Sequence, residues 1–169
     1  VVDCSAVLNT ASRMKVLVVV VNYRTPKLVV DSLGSLQHEV EQIGDMHVVV
    51  TDNDSGDGSV EIIRSAIEAN GWDWCTLIPL TSNGGYGAGN NAGIQPYLDA
   101  EEPPDYVMLL NPDACVHRGA ISKLLTFMES RPDVGIAGTR VEGADGKQAH
   151  SAFRFPSAAR ELVEGFQLG

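Results

Sequence analysis

Four runs of aliphatic and β-branched residues, each separated from the next by a stretch of helical length, constrain this chain more than any other feature. Residues 16–21 read VLVVVV, an uninterrupted apolar run typical of a strand buried on both faces. Residues 47–50 (HVVV), 76–80 (TLIPL) and 106–110 (YVMLL) repeat the pattern, and residues 134–141 form a weaker, glycine-containing fifth candidate. Residues 27–43 carry Leu28 and then Leu33, Leu36, Val40 and Ile43 at mixed three- and four-residue steps, the spacing of an amphipathic helix. Residues 59–70 follow the turn signal Asp57-Gly58 and stop at Asn70-Gly71, where glycine can take the left-handed conformation that ends a helix. Residues 89–98 and 119–130 complete the set. Strands alternating with helices predict right-handed βαβ crossovers and a mostly parallel sheet flanked by helices, an α/β layered domain. Pro79 lacks the N–H that a central strand must donate, so the third strand is expected to be short or at an edge.

Composition narrows the partners. A length of 169 residues favours one domain, since single domains most often run about 100–150 residues. Hydrophobic residues at 44% and charged residues at 20% exclude disordered and collagen-like chains. Twelve basic against twenty-two acidic residues leave a net charge of −10, with the cations scattered. Such a surface repels nucleic-acid polymers and anionic lipid, yet it can bind a phosphorylated metabolite through a divalent cation. Cys4, Cys75 and Cys115 form no C-x-x-C pair, which argues against a disulfide framework or zinc site and for reduced thiols. His38, His47, His117 and His150 share no metal-ligand spacing. The longest apolar run is far below the ~20 residues that cross a bilayer. Neither a P-loop sequence nor a G-x-S-x-G elbow occurs.

Ligands of open parallel sheets bind beyond the carboxyl ends of the strands, so the residues there are the candidates. The first run ends in Asn22-Tyr23-Arg24, the second in Asp52-Asn53-Asp54 and the fourth in Asn111-Pro112-Asp113. Turn and capping roles account for Asp57 and Asp54, whereas Asp52 and Asp113 directly follow hydrophobic strands and read as site residues. Pro112 fixes its own torsion and biases Asn111 toward extended backbone, which sets the position of Asp113 tightly. A rigid carboxylate of this kind suits a hard divalent cation that also binds ligand phosphates. Residues 83–91 (NGGYGAGNN) carry four glycines and are expected to form a loop that lets backbone approach a ligand. Residues 87–92 match a relaxed G-x-G-x-x-A fingerprint, but that belongs in the first βα turn, and residues 22–26 contain no glycine. A nicotinamide-dependent oxidoreductase rests on this misplaced match alone.

Taken in order, the segments resemble the inverting glycosyltransferases of family 2, which have the GT-A fold, and especially their rhamnosyltransferase-like branch. The residues that carry the likeness are Val20-Val21-Asn22-Tyr23, residues 49–59 (VVTDNDSGDGS), residues 83–93 (NGGYGAGNNAG) and Leu109-Leu110-Asn111-Pro112-Asp113, followed by residues 134–138 (VGIAG) and Arg154-Phe155-Pro156-Ser157. The resemblance spans about residues 15–157 and implies a Rossmann-like GT-A domain that binds a nucleotide-diphosphate sugar, such as dTDP-rhamnose or a UDP-sugar. It implies that Val21, Asn22, Tyr23 and Asp52 hold the base and ribose, and that Asn83, Gly85 and Asn91 lie beside the donor. Asp113 matches the metal-binding aspartate of the family's D-x-D position. Asn111, a further donor-binding residue on this resemblance, replaces the first aspartate, which leaves fewer negative ligands. Mg²⁺ or Mn²⁺ is the implied cofactor, and a carbohydrate or lipid-linked glycan in polysaccharide biosynthesis is the implied acceptor. The implied location is the cytoplasm or the inner face of the membrane.

The expected organisation is an upstream extension over residues 1–13, a donor-binding domain over 14–142, and a segment over 143–169 leading toward an acceptor-binding half that the chain lacks. No residue matches the family's general base; Glu161 and Glu164 read as surface charge on a terminal helix. Two functions therefore stand side by side: sugar transfer to an acceptor hydroxyl with inversion, and a nucleotide-sugar-binding module with no turnover of its own.

Overall fold

Every one of the four strong apolar runs is a strand in the computed structural model, which describes residues 15–143 and 145–149. The order is β1 (Val16–Asn22), α1 (Pro26–Ile43), β2 (Met46–Asp52), α2 (Ser59–Asn70), β3 (Cys75–Pro79), α3 (Gly85–Leu98), β4 (Tyr106–Leu110) and α4 (Ala120–Ser130). The strands form a single parallel sheet in the order β3-β2-β1-β4. In register, Val18 lies opposite Val48 on one side and Met108 on the other. Pro79 sits on the edge strand β3, where its missing N–H breaks no ladder. The chain winds outward from β1 to β3, then crosses back to lay β4 beside β1. Strand order thus reverses between β1 and β4, and the crevice at a parallel sheet's carboxyl edge opens at such a reversal.

Helix ends follow the local chemistry. Pro26 stands in the first turn of α1, where its fixed φ suits a helix and the missing N–H is no loss. Gly71 ends α2 at φ +63°, with N–H groups of Gly71 and Trp72 returning to the carbonyls of Glu68 and Ile67.

Alternation along the strands divides the core. Val16, Val18, Val20, Val48 and Val50 pack with Val29, Leu33 and Leu36 of α1, Ile63 of α2, and Ile121 and Leu125 of α4. Leu17, Val19 and Val49 face the other way, with Ile78 and with Ile94 and Tyr97 of α3. Burial pushes the thiol of Cys75 up to about 12, so this side chain is a packing group and no nucleophile.

Three expectations need correction. The glycine-rich segment is no loop: α3 begins at Gly85 rather than at residue 89. A Cβ on Gly89 would stand 2.8 Å from Val21 Cγ1, and one on Gly93 would stand 2.8 Å from Val19 Cγ1. The glycines let a helix lie directly on the sheet, which requires regular backbone. Residues 134–141 form no strand; Gly135 and Gly138 interrupt the run, and Ile136 is 93% exposed. Beyond them Glu142 pairs antiparallel with Gln148 across a tight return. Finally, β4 is not buried on both faces. Tyr106, Met108 and Leu110 turn toward the helix-covered side, while Val107 and Leu109 are exposed, because α3 packs on β1 and β2.

The chain divides into two compact units, the first ending at Leu125 and the second beginning at Thr126, and the sheet and all candidate site residues belong to the first. The expected N-terminal extension, the 154–157 motif and the helix bearing Glu161 and Glu164 lie outside the described residues. No described helix is long and apolar enough to cross a membrane.

Candidate functional site

The carboxyl ends of β1 and β2 are tied into one polar brace. Asn22 is wholly buried, and its Nδ2 donates to Asp52 Oδ2 at 2.6 Å and to Ser55 Oγ at 3.2 Å. Its Oδ1 accepts from the N–H and hydroxyl of Thr25, both at 3.2 Å. Asp52, 2% exposed, accepts the Ser55 N–H at 3.0 Å on Oδ1 and the Ser55 hydroxyl at 2.7 Å on Oδ2. Ser55 Oγ in turn accepts the Arg24 N–H at 3.0 Å, and Ser55 O accepts Arg24 Nε at 3.1 Å. These bonds hold Arg24 at φ +59° and Asp54 at φ +57°, left-handed conformations that cost a non-glycine residue roughly 1–3 kcal/mol unless the surroundings impose them. Tyr23 is consequently thrust outward. Its ring is 44% exposed, with the Arg24 guanidinium 5.1 Å from the centroid.

Next along the rim, Asn53 Nδ2 donates to Asn83 Oδ1 at 2.9 Å, and the Gly85 N–H donates to the same oxygen at 2.9 Å. Asn83 thereby joins the end of β2 to the first turn of α3. Val21 lies beneath that helix against Gly89, while Asn83 and Gly85 are exposed at its amino end and Asn91 is exposed midway along it.

Across the switch point, the Ala114 N–H closes a turn onto Asn111 O at 3.1 Å, leaving Asn111 and Asp113 exposed on it. Tyr86 of α3 reaches over and donates its hydroxyl to Asn111 Oδ1 at 3.1 Å. The chain leaving the turn is pinned to α1. Ser35 Oγ accepts the Val116 N–H at 2.9 Å. Glu39, completely buried, accepts the N–H groups of Gly119 at 2.5 Å and Ile121 at 3.0 Å. A carboxylate from α1 thus caps the amino end of α4.

Asp57 does what a turn residue does. Its Oδ1 accepts the N–H and hydroxyl of Ser59 at the start of α2, and the Ser59 hydroxyl bond holds its carboxyl below the usual range. Asp113 by contrast stands at the rim as an exposed carboxylate. Among the described residues no group of three or more His, Cys, Asp or Glu is placed to hold a metal ion. One carboxylate beside a neutral carboxamide suits Mg²⁺ or Mn²⁺ that keeps waters and draws further oxygens from a bound phosphate.

The fold therefore brings Tyr23, Asn111 and Asp113 to the carboxyl ends of the adjacent strands β1 and β4, with Asn83 and Gly85 at the start of α3. Asn22 and Asp52 lie behind the lip, and Val21 lies under it. Ser55, Tyr86 and Glu39 were not read as site residues. The signals were present: Ser55 stands three residues after Asp52, at turn spacing, and Glu39 interrupts the apolar stripe of Leu33 and Leu36.

The model of glycosyl transferase family 2 matches residues 17–166. No curated protein sequence matches. Among solved structures, residues 1–349 of TarS from S. aureus align at a TM-score of 0.57 and 22% identity, over 70% of this chain and 33% of that one. The mannosyltransferase PcManGT from Pyrobaculum calidifontis, solved with GDP-Man and Mn²⁺, aligns at 0.61 and 21%, again over 70% and 33%. TarS 1–349 has also been solved with UDP-GlcNAc, aligning at 0.57 and 22% over 70% and 32%. The chain thus spans about a third of the length of these structures, and at such identities the likeness is one of fold.

Proposed function

The chain belongs to glycosyl transferase family 2, and from that premise we propose that it binds a nucleotide-diphosphate sugar and serves in transfer of the sugar to an acceptor hydroxyl with inversion. The observation that carries the reading is the switch point. Strand order sets the ends of β1 and β4 side by side, so Tyr23 and the Asn111–Asp113 turn flank one crevice at the carboxyl edge of the sheet, where such folds take nucleotides.

Each residue has a physical part in this reading. The exposed ring of Tyr23 offers an apolar face to a nucleobase, and the Asn22–Asp52–Ser55 brace keeps that ring and the ribose side of the rim in place. Asn83 and Gly85, at the glycine-lined start of α3, and Asn91, farther along the helix, lie along the sugar. Asp113 would hold Mg²⁺ or Mn²⁺, which when bound offsets the diphosphate charge and stabilises the departing nucleotide. A chain of net charge −10 needs that compensation to accept a dianion or trianion at an acidic rim. The motif likeness to rhamnosyltransferases favours dTDP-rhamnose or a UDP-sugar as donor, and a glycan or lipid-linked glycan built at the cytoplasmic face of the membrane as acceptor. The Mn²⁺ in the PcManGT structure supports the metal.

Calorimetric titration with UDP, dTDP and GDP, each with and without Mn²⁺, tests the reading. One nucleotide is expected to bind in a metal-dependent way. Asp113→Ala is expected to weaken it about 10–100-fold, the range of a lost charge-assisted contact, with unchanged thermal unfolding. Silence across the panel refutes the donor site. Incubation with radiolabelled donor and acceptor then separates transfer from binding alone: binding without product assigns the chain as a nucleotide-sugar-binding module.

A further inference from the structure

The Tyr86–Asn111 hydrogen bond is unusual in its setting. It joins residues 25 apart in sequence, on the first turn of α3 and at the end of β4, and it crosses the switch-point crevice itself. Tyr86 is 48% exposed, so its ring fills no core, and an exposed hydroxyl–carboxamide bond contributes little to stability. Its backbone is nevertheless held at both ends of the turn: Asn90 Nδ2 donates to Tyr86 O at 3.0 Å, and the preceding Gly85 N–H is anchored on Asn83. Asn111 has an equally constrained backbone, with Pro112 after it and the Ala114 N–H on its carbonyl. The torsions of the Asn111 side chain are the freedom left at that position, and the Tyr86 hydroxyl removes it.

A carboxamide has an oxygen with two accepting lone pairs and a nitrogen with two N–H donors. The Tyr86 hydroxyl takes one lone pair of Asn111 Oδ1 and so fixes the plane of the amide, with its N–H₂ turned away from Tyr86 and open to an oxygen acceptor. We infer that Tyr86 is a positioning residue of the donor site: by holding Asn111 Oδ1 it presents the Asn111 N–H groups to an oxygen acceptor on the nucleotide. Position 111, where the resemblance sets a carboxylate that can only accept, thereby offers N–H donors in a fixed orientation. The inference rests on the proposed nucleotide-sugar function and adds to it a residue, Tyr86, and a polarity for Asn111.

A double-mutant cycle tests it on the full chain. Tyr86→Phe removes one oxygen from an exposed ring and Asn111→Ala removes the carboxamide; thermal unfolding checks that both fold like the unaltered chain. The ligand is whichever of UDP, dTDP or GDP the unaltered chain binds with Mn²⁺, compared with its nucleoside, so that a phosphate acceptor and a ribose acceptor are told apart. Tyr86→Phe is expected to weaken binding about three- to tenfold, the span of one hydrogen bond. Asn111→Ala should weaken it at least as much, and the double variant no further than Asn111→Ala alone. A loss seen with both nucleotide and nucleoside assigns the acceptor to ribose, and a loss confined to the nucleotide assigns it to phosphate. Tyr86→Phe binding like the unaltered chain, or losses that multiply in the double variant, overturns the inference while the donor site stands. No nucleotide binding by the unaltered chain overturns the donor site, and the inference with it.

Discussion

The two faces of the sheet are covered by opposite means. On one, α1, α2 and α4 set Val29, Leu33, Leu36, Ile63, Ile121 and Leu125 against the even-numbered side chains of β1 and β2, and the layer is filled by bulk. On the other, α3 is the one helix among the described residues that lies over Leu17, Val19 and Val49, and it comes close because Gly89 and Gly93 face the sheet with no side chain between. The bulky face is a scaffold. The close face brings the first turn of α3 to the rim, and with it Asn83, Gly85 and Tyr86. It also stops short of β4, where Val107 and Leu109 stay exposed. One face gains stability from volume, and the other trades volume for the position of a helix end.

Opposite substitutions should therefore damage the two faces. Leu33→Ala, at a fully buried position on the bulky face, leaves a cavity and is expected to cost about 2–5 kcal/mol in denaturant unfolding. Gly93→Val adds atoms where a Cβ alone would stand 2.8 Å from Val19 Cγ1 and 3.2 Å from Thr51 Cγ2. It is expected to cost about 1–3 kcal/mol by overpacking, and, unlike Leu33→Ala, to weaken nucleotide binding by lifting the start of α3. Equal effects of Leu33→Ala and Gly93→Val on binding would erase the distinction between the faces.

A smaller effect sharpens the comparison through pH. His47 lies on the α3 side, its Nε2 2.9 Å from Thr76 Oγ1 and its ring 5.3 Å from that of Tyr97. Loss of water on burial lowers its pKa. The folded state therefore favours the neutral ring. Above the unfolded-state value, about 6.5, this makes no difference; as pH falls through that value the unfolded chain takes up the proton first, and stability declines until the folded-state pKa is passed. Unfolding midpoints measured between about pH 7.5 and 5 should fall for the unaltered chain and fall less for His47→Gln. Parallel curves for the two proteins would show that this histidine is not a source of the acid sensitivity.

Much of this organisation was legible because it is local. A run such as residues 16–21 has no polar side to turn to water, so it is a central strand in any parallel sheet. Proline in the third run announced an edge, and Asn70-Gly71 announced a helix stop, each through backbone chemistry that needs no distant partner. The rim candidates were legible for a related reason: once strands are parallel, their carboxyl ends share one edge. The start of α3 was not legible, because glycine reads as loop in isolation and as close packing only when a sheet lies beneath it. The exposed face of β4 was equally hidden, since YVMLL looks the same whether or not a helix covers both of its sides.

Asn22, Asp52 and Glu39 carry the lesson into the site. Their polarity at those positions was plain, and Thr25 and Ser55 lie within turn spacing of Asn22 and Asp52, yet the bonds Asn22–Asp52 and Glu39–Ile121 join residues 30 and 82 positions apart. The sequence by itself determined a parallel α/β sheet, the strand ends that form its rim, and the family to which those motifs point, because periodicity, turn chemistry and motif order are properties of neighbouring residues. Only the tertiary structure decided that β4 lies beside β1, that Asn22 and Asp52 brace the lip from behind, and that Tyr86 spans the crevice to Asn111. Those are matters of which surfaces meet, and a hydrogen bond between distant residues exists only once packing has brought its donor and acceptor within about 3 Å.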